Sequence, residues 1–220
     1  KTSDGDIVRL RKDNAEVGSI NTGTSRIGLR SGDTGIMCAA DLDAIYPQND
    51  LAGRDAAINL GVSGARFKDL YLSGGVYLGG TGAANKLQDY ETGTFVATLR
   101  GSTSDPSTAV TTTSLYRKIG ETVYIDIAFE NWSTTGASGH IQVTGLPFTS
   151  SNTGRMFING AFYNGATWTD DKTPVSNVQG NSTKILCHAM DSNGTWDTLS
   201  HNAGSSGRYF WFSGTYPTGA

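Results

Sequence analysis

The chain has 220 residues, 29 of them glycine, and carries 17 lysines and arginines against 20 acidic residues. So close a balance, with no basic stripe, excludes the electrostatic footprint of a nucleic-acid-binding or anionic-membrane-binding protein. No apolar run approaches the ~20 residues of a membrane-spanning helix, which excludes membrane insertion by helices.

The chain opens on Lys1, with neither an initiating methionine nor an apolar signal core, and reads as starting at an internal position. Short apolar stretches then recur between turn signals: Ile7 to Leu10 before "KDNA", Val17 to Ile20 before "NTGTS", Ile27 to Leu29 before "SGDTG", then Ile36 and Met37. A spacing near ten residues predicts short strands and turns, and glycines with β-branched residues interrupt every helical alternative. "DLDAIYPQNDLAGRDAAINLG" is less regular, and Pro47 with the Gln-Asn-Asp run predicts a turn or crossover, followed by a strand at "INLG". At residues 70 to 80, "LYLSGGVYLGG" repeats one β-phrase at an offset of six, with Leu70 and Leu72, then Val76 and Leu78, on the same face within each copy. Strands this short bury little area alone, so the phrase requires a partner.

Composition changes near residue 88. Residues 1–88 hold four of the 21 aromatic residues and ten charges of each sign, whereas all four tryptophans lie in 89–220. The second module therefore has the material for a packed core. "TFVATL", then "SLYRKI" and "TVYIDIAFE" joined at Gly120-Glu121, predict strands and a tight hairpin, and "HIQVTGLPF", "RMFINGAFY", "STKILCHAM" and "RYFWFSGTY" add further strands. In "TVYIDIAFE" the alternation places Val123, Ile125, Ile127 and Phe129 in the core and Tyr124, Asp126, Ala128 and Glu130 in water. The predicted class is all-β, with an antiparallel β-sandwich of seven to nine strands over 89–220.

Catalytic motifs are missing: there is no G-x-S-x-G, H-E-x-x-H or P-loop. "GGTGAAN" carries Asn85 where a dinucleotide loop needs glycine, and no amphipathic helix follows, so no cofactor is expected. His140, His188 and His201 are isolated in sequence, and adjacent Cys187 and His188 point to opposite strand faces. Cys38 and Cys187 make no metal-ligand spacing and read as buried free thiols, so neither a metal site nor a disulfide framework is expected. Asp126 and Glu130, four residues apart on one strand, lie about 13 Å from each other, too far for either geometry of glycoside hydrolysis. The chain is therefore expected not to be an enzyme. Three tryptophans instead sit in loop-like sequence: Trp132 in "ENWSTTG", Trp168 in "NGATWTDDK" and Trp196 in "SNGTWDTLS". With Tyr163, Asn164, Asp170 and Asn193 they are candidate receptor-binding residues, since an indole offers a flat apolar face to a sugar ring and neighbouring amides and carboxylates meet its hydroxyls.

"RFKDLYLSGGVYLGGTGAANKLQDYETGTF" resembles the shaft-to-head junction of tail fibres from tailed bacteriophages, and "YRKIGETVYIDIAFE…GLPF" with the terminal "FSGTY" resembles the head that follows it. The resemblance covers residues 50 to 150 best. It implies a homotrimer located on the virion, with an intertwined trimeric β shaft over 1–88 and a receptor-binding head over 89–220. Its partners would be a host cell-surface receptor, a glycan or a surface protein, and an upstream tail or baseplate protein. Leu70, Leu72, Val76 and Leu78 would then form the trimer seam, because three interleaved chains supply the missing core and leave no strand edge. A structural collar or spacer fibre, and a polysaccharide depolymerase, are the alternative readings.

Overall fold

In a computed structural model, described over residues 3–152, 156–167, 172–191 and 193–219, the chain divides into two compact units, Lys1–Tyr71 and Leu72–Ala220. The division falls ahead of the compositional change near residue 88. Residues 76–88 attach to the second unit, where Val76–Tyr77 pairs with Lys86–Leu87 and the Gly120 N–H donates to the Gln88 carbonyl.

The first unit is an antiparallel meander of six strands in sequence order: β1 (Gly5–Lys12), β2 (Ala15–Gly23), β3 (Arg26–Ser31), β4 (Thr34–Ala39), β5 (Ala44–Asn49) and β6 (Ala52–Gly53). Asp13 and Asn14 both take positive φ, 49° and 63°, the backbone a two-residue hairpin turn requires and one that short polar side chains tolerate. Of the predicted turn or crossover at Pro47 and the Gln-Asn-Asp run, Ala44–Asn49 is instead strand β5, and a turn follows at Asp50 and Leu51 with φ 45° and 69°. Pro47 is tolerated there because β6, on that side, spans only two residues and pairs with Gln48 and Asn49. "INLG" and Leu70 to Leu72 lie outside any strand, since neither finds a partner strand in the chain; of the repeated phrase only Val76–Tyr77 is strand.

This sheet is inverted relative to an ordinary half-buried one. Ser19, Asn21 and Gln48 are fully buried, and the Gln48 amide donates to Asn21 Oδ1 and to the Ile36 carbonyl, each at 3.4 Å. Gly28 lies directly over that pair, where a Cβ would collide with both side chains. Asp6 accepts ion pairs from Arg9 (3.2 Å) and Arg30 (3.4 Å) on the same polar side. Met37 and Ala39 share that enclosed face, and the other aliphatic residues line up on the opposite one. Val8 pairs with Ile20, Ile20 with Leu29, Leu29 with Ile36 and Ile36 with Pro47, while Ile27 pairs with Cys38 and Cys38 with Ile45. All of these aliphatics are exposed. So is Cys38, contrary to the buried thiol expected, because it belongs to this outer row.

The second unit begins with β7 (Val76–Tyr77) and β8 (Lys86–Leu87), joined through a short 3-10 turn at Ala83–Asn85. There follow β9 (Tyr90–Gly101), β10 (Val110–Ile119), β11 (Thr122–Trp132), β12 (Ile141–Thr144), β13 (Met156–Tyr163) and β14 (Ala166–Thr167). The remaining strands are β15 (Lys172–Val178), β16 (Lys184–Asp191), β17 (Trp196–Thr198), β18 (Ser200–His201) and β19 (Arg208–Pro217). The predicted sandwich is corrected to a closed barrel. Its order is β12-β9-β10-β11-β19-β13-β15-β16, and β12 also pairs with β16 through Gln142–Leu186, Val143–Ile185 and Thr144–Lys184, which closes the ring of eight. Alternation fixes which face of each strand is interior in both architectures and leaves open whether the first and last strands meet.

The β10–β11 hairpin forms as expected, with Ile119 opposite Thr122 and Gly120 at φ 57°. Val123, Ile125, Ile127 and Phe129 point inward at no more than 3% exposure, as the alternation predicts. Phe210 and Phe212 from β19 fill the centre, with Phe129 and Phe162 edge-on to Phe210 at 6.5 and 6.2 Å. Each large ring buried this way contributes roughly 1.5–3 kcal/mol. Tyr216 is also fully buried; its hydroxyl donates to the Phe148 carbonyl (3.1 Å) and accepts from the Phe148 N–H (3.3 Å), pinning the segment after β12 across the barrel wall. No helix among the described residues is long and apolar enough to cross a membrane.

Candidate binding surface on the barrel wall

The sequence-derived site residues do not form one cluster. Trp168 and Asp170 lie outside the described residues. Trp132 is the last residue of β11, not a loop residue, and packs half-buried against the core. Asn164 is exposed at a turn with φ 54°, a conformation that itself accounts for an asparagine. Asn193 is also in a turn, where Asp191 Oδ1 accepts from the N–H groups of Asn193 (3.0 Å) and Thr195 (2.8 Å). Asp191 therefore holds the backbone around Asn193, as turn chemistry requires.

Trp196 and Tyr163 belong to a larger feature, the outer wall formed by β11, β19, β13, β15, β16 and β17. Along β19, Tyr209 and Trp211 face outward two residues apart and stack at 5.5 Å with ring planes 20° apart. Tyr163, the last residue of β13, sits edge-on to Tyr209 at 5.6 Å. The indole N–H of Trp211 donates to Glu130 Oε1 at 3.4 Å, which fixes the roll of the ring. Its cross-strand neighbours are Ala128 and Ala161, too small to cover it, and the indole stays 36% exposed. The next row across the same strands is Asp126, Ser213 and Asn159, all polar.

A second aromatic group lies further along β13. Phe157 is exposed and stacks on Trp196 at 6.1 Å with ring planes 23° apart, and His188 meets Trp196 edge-on at 5.0 Å. His140 and His188, isolated in sequence, both line a shallow cavity of about 570 Å³ with Trp196, Asp197 and Thr198. His188 points outward and Cys187 inward, as their adjacency predicts, and burial pushes the Cys187 thiol up to about 12. Asp197 is held below the ordinary carboxylate value chiefly by its hydrogen bond from Lys172.

Between the two aromatic groups the wall opens. β13 and β15 pair only through Met156–Val178, Phe157–Asn177 and Ile158–Ser176. Beyond Ser176 comes Pro174, which has no N–H to offer a ladder. The strands part there and leave a cleft of about 500 Å³ lined by Asp126, Asn159, Ala161, Pro174, Val175, Trp211 and Ser213 among others. Sequence reasoning missed Trp211 because it sits inside an aromatic strand. The signal that could have found it is alternation: Phe210 and Phe212 claim the interior, so Trp211 must face out. No family model matches this chain, and no curated protein matches it either.

Proposed function

We propose that the chain is the tip of a homotrimeric tail fibre of a bacteriophage, whose barrel head attaches the virion to a host cell-surface receptor. The observation that carries this reading is the inverted sheet of the first unit. Seven aliphatic side chains on its outer face, Val8, Leu10 two residues on from it, Ile20, Ile27, Leu29, Ile36 and Ile45, are 37% to 68% exposed in the single chain. Together they present about 600 Å², at the top of the roughly 300–600 Å² patch that monomers expose and close to the ~800 Å² per partner of a standard interface. Phe67, Leu70, Tyr71, Leu72 and Leu78 are more than half exposed as well, as a seam between copies requires. The enclosed face, with only Met37 and Ala39 apolar beside Ser19, Asn21 and Gln48, offers little apolar area to drive this sheet together; burial of the outer face against identical chains offers more.

The head supports attachment through its wall, where aromatic platforms flank polar side chains. Three such heads on one shaft would turn weak contacts into firm attachment through effective concentration. Sedimentation of the purified chain, followed by binding of the labelled protein to a panel of bacterial strains, tests both halves. A trimer that binds a subset of strains is expected. A monomer at micromolar concentration would overturn the fibre; a trimer that binds no strain would leave a spacer, and one that degrades extracted capsule would be a depolymerase.

A further inference from the structure

We infer that the cleft beside Trp211 is a subsite for an uncharged oligosaccharide, bound with one pyranose ring on the indole and the next units running toward Phe157 and Trp196. The inference rests on the attachment reading for its biological role, and its chemistry follows from the wall itself. Tyr209 covers one face of the Trp211 indole, and Tyr209 and Ser213 flank that indole on the same side of β19, so the free face turns toward Ser213 and the cleft. Ala128 and Ala161, directly across the ladder, leave room for a ring to lie flat on it. A sugar presents C–H bonds to an aromatic face and hydroxyls at its edge. At that edge stand the Asp126 carboxylate, the Asn159 amide and the Ser213 hydroxyl, in one cross-strand row. They supply acceptors and donors in the mixture that vicinal hydroxyls need.

Charge narrows the ligand class. Asp126 is the one ionisable side chain among the described residues lining the cleft, and Glu130 holds the indole at its border. With one carboxylate in that lining, a second at its border and no lysine or arginine among the described lining residues, a uronate or another acidic sugar meets repulsion and no compensating ion pair. Length is set by the second platform. Phe157 is four residues from Ala161 on β13, roughly 13 Å along the strand, a span that calls for several sugar units.

The test is titration of the full chain with cellotetraose, maltotetraose, mannotetraose and chitotetraose, with tetragalacturonate as the acidic counterpart, read by saturation-transfer NMR and calorimetry. At least one uncharged tetrasaccharide is expected to bind in the millimolar range or tighter and tetragalacturonate not to bind. Trp211→Ala should weaken that binding more than tenfold. Ala161→Arg, at an exposed position that tolerates a long side chain, should block the cleft with the melting temperature unchanged. Binding of none of the uncharged sugars, preference for tetragalacturonate, or full binding by either variant would overturn the subsite. A change of oligomeric state in Ala161→Arg would also overturn it, by marking the wall as a contact between subunits. If the protein binds cells and both variants still do, the cleft falls and attachment stands; if sugars bind as described and no strain is recognised, attachment falls and the cleft stands.

Discussion

Leu29→Asp separates the stability of the single chain from that of the assembly. Leu29 lies in the middle of the outer row, paired with Ile20 on one side and Ile36 on the other, and is 54% exposed in the isolated chain. Its replacement should therefore cost the folded monomer little. In an assembly that covers the row, about 100 Å² of leucine surface per chain leaves water, which at ~25 cal/mol per Å² is about 2.5 kcal/mol, or roughly 7.5 kcal/mol over three chains. That alone lowers the trimer association constant by about five orders of magnitude, before the cost of placing three carboxylates in a dehydrated seam. Sedimentation equilibrium from nanomolar to high micromolar concentration reads the shift, and the near-ultraviolet dichroism of the tryptophans, all in the second module, reports whether the head stays folded. A variant as tightly associated as the parent would refute the argument that this face is where the chains meet. A variant whose head unfolds would refute the claim that the residue matters only to assembly.

Leu72→Asp with Leu78→Asp should likewise dissolve the trimer, and a stable trimer in sedimentation would remove these residues from the seam. Alkylation of the dissociated chain near pH 8, followed by mass spectrometry, should modify Cys38 and spare Cys187, which is buried and pushed up to about 12; assembly should protect Cys38 too. Tyr216→Phe removes the hydroxyl that both donates to and accepts from Phe148, and should lower head stability by about 1–2 kcal/mol in urea titration, with an unchanged denaturant slope. Asp6 is held below its ordinary value of 3.8 first by the Ser19 hydroxyl, then by Arg30 and Arg9, against the opposing effect of burial. Its contribution to the sheet is therefore complete above pH 3.8 and lost as pH falls through the lower folded value, so acid melts of Asp6→Asn should show a weaker pH dependence in that window than the parent.

The sequence by itself determined the class and the faces. Alternation in "TVYIDIAFE" put Val123, Ile125, Ile127 and Phe129 inside, glycine and paired turn residues ended the strands, and Gly120-Glu121 placed the hairpin, because each of these is local: a period of two and a few backbone preferences. The mutual exclusion of Cys187 and His188 was legible for the same reason. What the tertiary structure decided is non-local. Whether β12 ends an open sheet or bridges β9 to β16 depends on pairings between residues forty or more apart in sequence, so the barrel could not be told from a sandwich. β15 went unseen because "KTPVSNV" has a proline and polar residues, and only the neighbouring β16 makes it a strand. The inversion of the first sheet was hidden in the same way: its alternation separates Ile20 and Leu29 from Asn21 and Arg30, and only the fold shows that the face of Asn21, Gln48 and Met37 is the one enclosed. The binding wall is the extreme case. Asp126, Asn159 and Ser213 meet because three strands from across the head lie side by side in one register, and no spacing along the chain records that register.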